Sequence, residues 1–464
     1  MKTAFSRFVF AAALVALPLF ANAQGIALPA YEQVTLANGT QLLLMEKHDV
    51  PLIALNARLR GGALADANGK EGSAALLAAL MQKGAGKRDA KTFAETVDGA
   101  GGRLDIASDV ESLQLNAEFM SRDAQLMIDL SADALLRPTL APAEFAKVKD
   151  HAIQSIAAAK DSDPRQLLRI YGNAWLFRGT PYGRPRDGDE TSLATVTLDD
   201  LHAYRNQLGG DRLIVAVVGD FHIADMKKAL TAAFGGWEKA KGTLPTVAAK
   251  KPEQGRRVLL VDKPGATQSY FWLGNVGVDR RDPELAAQTL ANTVFGGRFT
   301  SMINTELRIK SGLSYGAGSS LSRFDAPGAA AITSFTRTED TGKALDLALA
   351  TLDRLHKDGI AADMRESAKN YVLGQFPPTL ETAPALAGKI AELAFYGLDR
   401  KDVDGFADRI KAATPEQFTK AIAVYPETAD LAIVIIGDAG KLRETAKKYG
   451  PVTELKITDP HFVP

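Results

Sequence analysis

Leu213-Ile214-Val215-Ala216-Val217-Val218-Gly219-Asp220 is a continuous apolar run closed by Gly-Asp, and it returns as Leu431-Ala432-Ile433-Val434-Ile435-Ile436-Gly437-Asp438. An unbroken run rich in β-branched residues predicts a buried strand. The two copies lie 218 residues apart, from 213 to 431, which is close to half the chain. Each follows a similar helical segment, Leu198–Tyr204 before the first and Pro415–Ala421 before the second. Repetition at this offset predicts a chain built from two similar halves. Between them, Lys241–Gly255 carries two prolines, two glycines and several lysines with no clear period, as a linker would. The expected domains are therefore 24–240 and 256–464.

Other elements fall around these strands. Asn38-Gly39, flanked by Gln33–Ala37 and Thr40–Glu46, predicts a hairpin with a type I′ turn. Leu52–Arg60 reads as a strand, Gly72–Lys83 as an apolar helix, and Arg103–Val110 with Glu111–Glu118 as a strand pair. Asp123–Leu136 and Pro142–Lys160 read as helices, the second opening on proline in its first turn. Hairpin-like strands mixed with helices, without a steady βα alternation, define an α+β class. Each of the two homologous domains is then a mostly antiparallel sheet with helices packed on it.

Composition narrows the function. The 464 residues balance 55 Lys plus Arg against 55 Asp plus Glu, so nucleic-acid binding has no electrostatic support. At 46% apolar and 24% charged, the chain is neither a disordered polymer nor a multi-span membrane protein. With no cysteine, disulfides, thiolate zinc sites, iron–sulfur clusters and a cysteine nucleophile are all excluded. Lys2 and Arg7, the apolar stretch Phe8–Ala21 and the closing Ala21-Asn22-Ala23 predict a cleaved secretory signal at 1–23. Removing 23 of 464 residues leaves 441, with 53 cationic against 55 anionic side chains, in a periplasmic protein with no stable membrane insertion.

The six histidines, His48, His151, His202, His222, His356 and His461, come no closer than 20 residues in sequence. A helical metal site needs imidazoles at i and i+3 or i+4 on one face, so none forms locally. G-x-S-x-G, Walker A and G-x-G-x-x-G patterns are absent, and Gly296-Gly297 follows an apolar helix rather than a strand. Read this far, the residues give a secreted two-domain protein without a self-contained catalytic centre.

Two segments resemble the pitrilysin/insulinase-type zinc peptidases, a family that includes mitochondrial processing peptidase and two-subunit bacterial peptidases. Gly72-Ser-Ala-Ala-Leu-Leu-Ala-Ala-Leu-Met-Gln-Lys-Gly-Ala85 is similar to the family helix G-x-x-H-x-x-E-H-x-x-x-x-G-T. There the histidines bind zinc and the glutamate activates water. Here Ala75, Ala78 and Ala79 stand at those positions. The family's third ligand, a glutamate about 76 residues further on, falls at Ser155. Phe295-Gly-Gly-Arg-Phe-Thr-Ser-Met-Ile-Asn-Thr-Glu-Leu-Arg-Ile-Lys-Ser-Gly-Leu-Ser-Tyr-Gly316 is similar to G-G-x-x-x-S-x-L-x-x-x-L-R-x-x-x-G-L-x-Y and departs from it at Ile303.

In that family the arginine and tyrosine, here Arg308 and Tyr315, reach across to a zinc site in the other half or subunit. The resemblance therefore implies a zinc-free subunit that binds no cofactor of its own. A paralogous partner bearing H-x-x-E-H would supply the zinc, and the substrate would be a short unfolded peptide. Arg308 would hold a substrate carbonyl or carboxylate, and Tyr315 would donate to the oxyanion. The segment Leu59–Gly62 is the expected sheet edge for an extended peptide. The alternative is a catalytically silent scaffold or peptide-binding subunit of the same fold.

Overall fold

The structure, a computed structural model, describes residues 27–464, and the expected signal segment 1–23 lies outside them. The first sheet holds β1 (Glu32–Thr35), β2 (Gln41–Glu46), β3 (Leu52–Arg60), β4 (Arg103–Ser108), β5 (Ser112–Met120) and β6 (Leu213–Gly219). The second holds β7 (Arg257–Asp262), β8 (Gln268–Val276), β9 (Ala317–Arg323), β10 (Pro327–Arg337), β11 (Ala432–Gly437) and β12 (Val452–Lys456). Their orders, β1-β2-β6-β3-β5-β4 and β12-β7-β11-β8-β10-β9, correspond at the last five positions, and differ at the first, where β1 runs antiparallel to β2 but β12 parallel to β7. The two apolar octamers thus occupy the same place, β6 and β11, each paired parallel to one neighbour and antiparallel to the other. Thr197 and Thr414 cap the preceding helices with the same reciprocal side-chain box, so the repeat extends to the turn chemistry. The molecule is α+β, with two sheet-plus-helix halves.

A strand that is apolar at every position needs cover on both faces. In β6, Val215 and Val217 face helices of their own half. Ile214, Ala216 and Val218 face Leu386, Ala387, Ile390 and Ala391 of the helix Ala383–Tyr396, which belongs to the second half by sequence. The reciprocal holds for β11. Ile433 and Ile435 face their own half, while Val434 and Ile436 share a core with Leu168, Tyr171 and Trp175 of the helix Leu168–Leu176. The halves therefore exchange helices, and each sheet is complete only in the presence of the other half. Each large apolar side chain buried there contributes roughly 1.5–3 kcal/mol relative to exposure.

Two local expectations change. At the first hairpin Gly39 has φ +97° and Asn38 is not at positive φ, so the turn is not type I′. Gly39 N–H donates to Leu36 O and Leu36 N–H to Thr40 O, the pattern of a type I turn closed by a glycine bulge. The Asn38 amide instead donates to Phe234 O and Trp237 O, each at 2.9 Å, which ties the turn to the end of the helix Ile223–Phe234 after β6. Leu59–Gly62 is not a free edge either. Leu59 pairs with Leu113 on one side and Leu213 on the other, and Gly61 N–H donates to Glu111 O. Among the described strands, the edges are β1 and β4 in the first sheet and β9 and β12 in the second.

Candidate functional site

The zinc-motif helix, α1, spans Ser73–Met81. Its start is fixed by Asp66, whose carboxylate accepts the backbone N–H groups of Gly72 and Ala74, both at 2.8 Å. Burial pushes the Asp66 carboxyl up to about 7, against the pull of those two donors. Gly72 sits at φ +93°, and a Cβ there would meet Leu193 at 2.8 Å and Asp187 O at 2.9 Å. Only glycine fits that entry. Every residue of α1 except Ser73 is apolar, so the helix buries most of its circumference, including Ala78 at 1% exposure. Ala75 and Ala79, one turn apart, face a cavity of about 540 Å³.

Across that cavity lies α2, the helix Pro142–Ser162, presenting Glu144, Lys147, Val148, His151 and Ala152. Ser155, one turn further, is exposed and lines the adjoining cavity, and its hydroxyl donates to His151 O at 2.8 Å. The two cavities share Ala152 and Asp187 in their walls. Sequence reasoning noted His151 without placing it, yet its position four residues before Ser155 on one predicted helix was the available signal. Zinc needs nitrogen, sulfur or oxygen donors in a tetrahedral set. Three methyl groups and a hydroxyl bonded to its own helix do not fit it. Among the described residues no group of three His, Cys, Asp or Glu side chains is placed to hold a metal.

The C-terminal signature takes a different form. Thr305–Lys310 is a π-helical turn, a rare geometry often found at functional sites. Leu307 points into the core, while Arg308 and Ile309 point outward. Tyr315 is 80% exposed and Phe299 59% exposed, values far from those of core aromatics. The Arg308 guanidinium lies 4.7 Å from the centre of the Phe299 ring. Neither Arg308 nor Tyr315 lines the cavity at Ala75 and Ala79. The structure thus leaves both residues exposed to solvent, and neither lines the cavity beside α1.

Comparison with known proteins fits this arrangement. A model described as "Insulinase (Peptidase family M16)" matches residues 47–190, and one described as "Peptidase M16 inactive domain" matches 195–372. The chain belongs to this peptidase family. It is similar to the uncharacterized zinc protease YmxG of Bacillus subtilis, 23% identical over 89% of this chain and 99% of that one. It is also similar to the non-peptidase homolog YmxG of Helicobacter pylori, 22% identical over 85% of this chain and 91% of that one. A peptidase M16 inactive domain from Pseudomonas fluorescens shares the fold, with TM-score 0.81, 23% identity and coverage of 88% and 98% of the two chains. Within the family this chain is an inactive member, and its helix Ser73–Met81 carries Ala75, Ala78 and Ala79.

Proposed function

We propose that this chain is the zinc-free subunit of a heteromeric periplasmic metallopeptidase. A paralogue with H-x-x-E-H holds the zinc, and this chain completes that site for the hydrolysis of short unfolded peptides. The observation that carries the reading is the asymmetry between the two motifs. Ala75, Ala78 and Ala79 carry methyl groups, while Arg308 and Tyr315 are exposed and, apart from the contact of Arg308 with the Phe299 ring, make no side-chain hydrogen bond or ion pair among the described residues. In the proposed assembly the partner's zinc and glutamate supply the attacking water. Tyr315 donates its phenolic hydrogen to the oxyanion that develops on the scissile carbonyl. Arg308 grips a neighbouring carbonyl or carboxylate with its planar fork. The exposed Phe299 and Ile309 beside them, 59% and 52% exposed, would meet the partner surface.

The test is mixing. The purified chain alone should bind no stoichiometric zinc and cleave no peptide. Combined with an H-x-x-E-H relative encoded beside it, it should produce peptidase activity that a chelator removes. Activity that never exceeds that of the relative alone leaves the scaffold reading in its place. N-terminal sequencing of the exported protein should begin at Gln24.

A further inference from the structure

We propose that Asn304 is a positioning residue for the site given to Arg308 and Tyr315. It fixes the two at one separation, acting through the Phe299 loop on one side and the strand behind Tyr315 on the other. This role rests on the reading of Arg308 and Tyr315 proposed above.

An arginine and a phenol serve one substrate only if the distance between them is held, since a displacement of about 1 Å can cost roughly 100-fold in rate. The turn that joins them, Ile309–Gly312, is exposed throughout. The fixed point is Asn304, the residue before the π-helical turn, which is 4% exposed. Its Nδ2 donates to Phe299 O at 2.6 Å, and its Oδ1 accepts the Ala317 N–H at 3.1 Å. Phe299 carries the ring against which the Arg308 guanidinium lies. Ala317 opens β9, two residues after Tyr315. One buried amide therefore joins the support of the arginine to the support of the phenol.

The topology explains why a side chain is needed there. β9 is an edge strand, so alternate N–H groups point away from β10. Ser319 N–H donates to Gly296 O at 3.2 Å, and Ala317 N–H donates to Asn304. The loop Gly296–Asn304 is thus pinned to the strand at both ends, and Asn304 is the pin next to Tyr315. From β10, the buried Ser334 Oγ lies 3.0 Å from both Ser314 Oγ and Gly316 O, which flank Tyr315. The main chain at Tyr315 is fixed while its phenol stands in solvent. At this side-chain length only a carboxamide offers a donor and an acceptor on separate atoms. Asparagine within a helical run is otherwise unfavourable. Here both of its polar atoms are spent on the segment that carries Arg308 and Tyr315.

The test is the steady-state kinetics of the complex reconstituted with the H-x-x-E-H relative, at saturating partner, on a short internally quenched peptide, with zinc determined in each sample. Asn304→Asp keeps the acceptor for Ala317 N–H and loses the donor to Phe299 O. It should raise KM roughly 10-fold with kcat near native, because only the grip of Arg308 is loosened. In an Arg308→Ala background the same change should raise KM no further. Asn304→Leu removes both bonds and should lower kcat roughly 10- to 100-fold with zinc retained. In a Tyr315→Phe background it should lower kcat no further. Should neither variant fold, Phe299→Leu leaves the buried amide in place and should reproduce the rise in KM; a native KM there overturns the proposal. Native kinetics in Asn304→Leu, or losses that add in full to those of Tyr315→Phe, overturn it as well. Failure of the unmodified chain to add activity to the relative is a separate result: it ends the reading of Arg308 and Tyr315 and this role with it.

Discussion

The helix Ser73–Met81 and the segment Phe299–Tyr315 are the two places where this chain resembles a peptidase motif, and they have opposite surfaces. The first has turned inward. Ala78 is 1% exposed, and the cavity beside Ala75 and Ala79 is walled on this side by those two alanines with Leu76 and Lys83. The second has turned outward, with an arginine, a phenol and two apolar side chains in solvent around a π-helical turn. A surface of that kind is costly to keep without a use, because exposed apolar groups invite association. The contrast underlies the proposal that the chain has lost the chemistry of one half-site and kept the chemistry of the other.

The largest effect separates the buried motif position from its neighbours. Ala78→Glu places a carboxylate in a closed helix interface and should destabilise by about 3–5 kcal/mol in urea unfolding. Ala75→Glu and Ala79→Glu face the cavity and should cost less than about 1 kcal/mol. Equal costs at the three positions would break the assigned register of α1.

Next comes the cap. Asp66→Ala leaves the Gly72 and Ala74 N–H groups without their acceptor and should cost about 0.5–2 kcal/mol in the same assay. The carboxyl rises from 3.8 unfolded to about 7 folded, so the folded state holds its proton over a wider range. Its contribution is full below 3.8 and is lost as pH rises toward about 7. The urea midpoint should therefore fall between pH 4 and pH 7 for this group, and Asp66→Asn should flatten that part of the profile. An unchanged slope in Asp66→Asn would assign it elsewhere.

The smallest stability effects belong to the exposed segment. Phe299→Ala and Arg308→Ala should change the unfolding free energy by no more than about 0.5 kcal/mol. The same variants should weaken assembly with the zinc-bearing partner in sedimentation experiments. A large loss of stability would make the segment structural and end the contrast with α1.

Much of the fold was legible because its signals are local. Leu213–Gly219 and Leu52–Arg60 are strands at the residues their apolar pattern marks. The helix exchange was not legible, because the second face of β6 is covered by Leu386 and Ile390, far away in sequence, and nothing in the run itself names its cover. The same lack of long-range information placed an edge at Leu59–Gly62, where strands in fact flank β3 on both sides. The first hairpin turn differs for the same reason, since the Asn38 amide is bonded to the Phe234 and Trp237 carbonyls, 196 and 199 residues away, which a dipeptide rule cannot see. At the site, the alanines of α1 were readable one by one. Counting to Ser155 could not show that His151 and Ala152 face α1 across the cavity, because a count along the chain does not fix which face of a helix a residue takes.

One measurement bears most directly on the central claim: the turnover of the reconstituted complex carrying Tyr315→Phe, with its zinc content determined in the same sample. The account predicts a loss of roughly 10²–10³ in kcat with zinc fully retained, since a single oxyanion donor has been removed and no ligand touched. Undiminished turnover in that variant would contradict it, and this chain would then support its partner without taking part in the reaction.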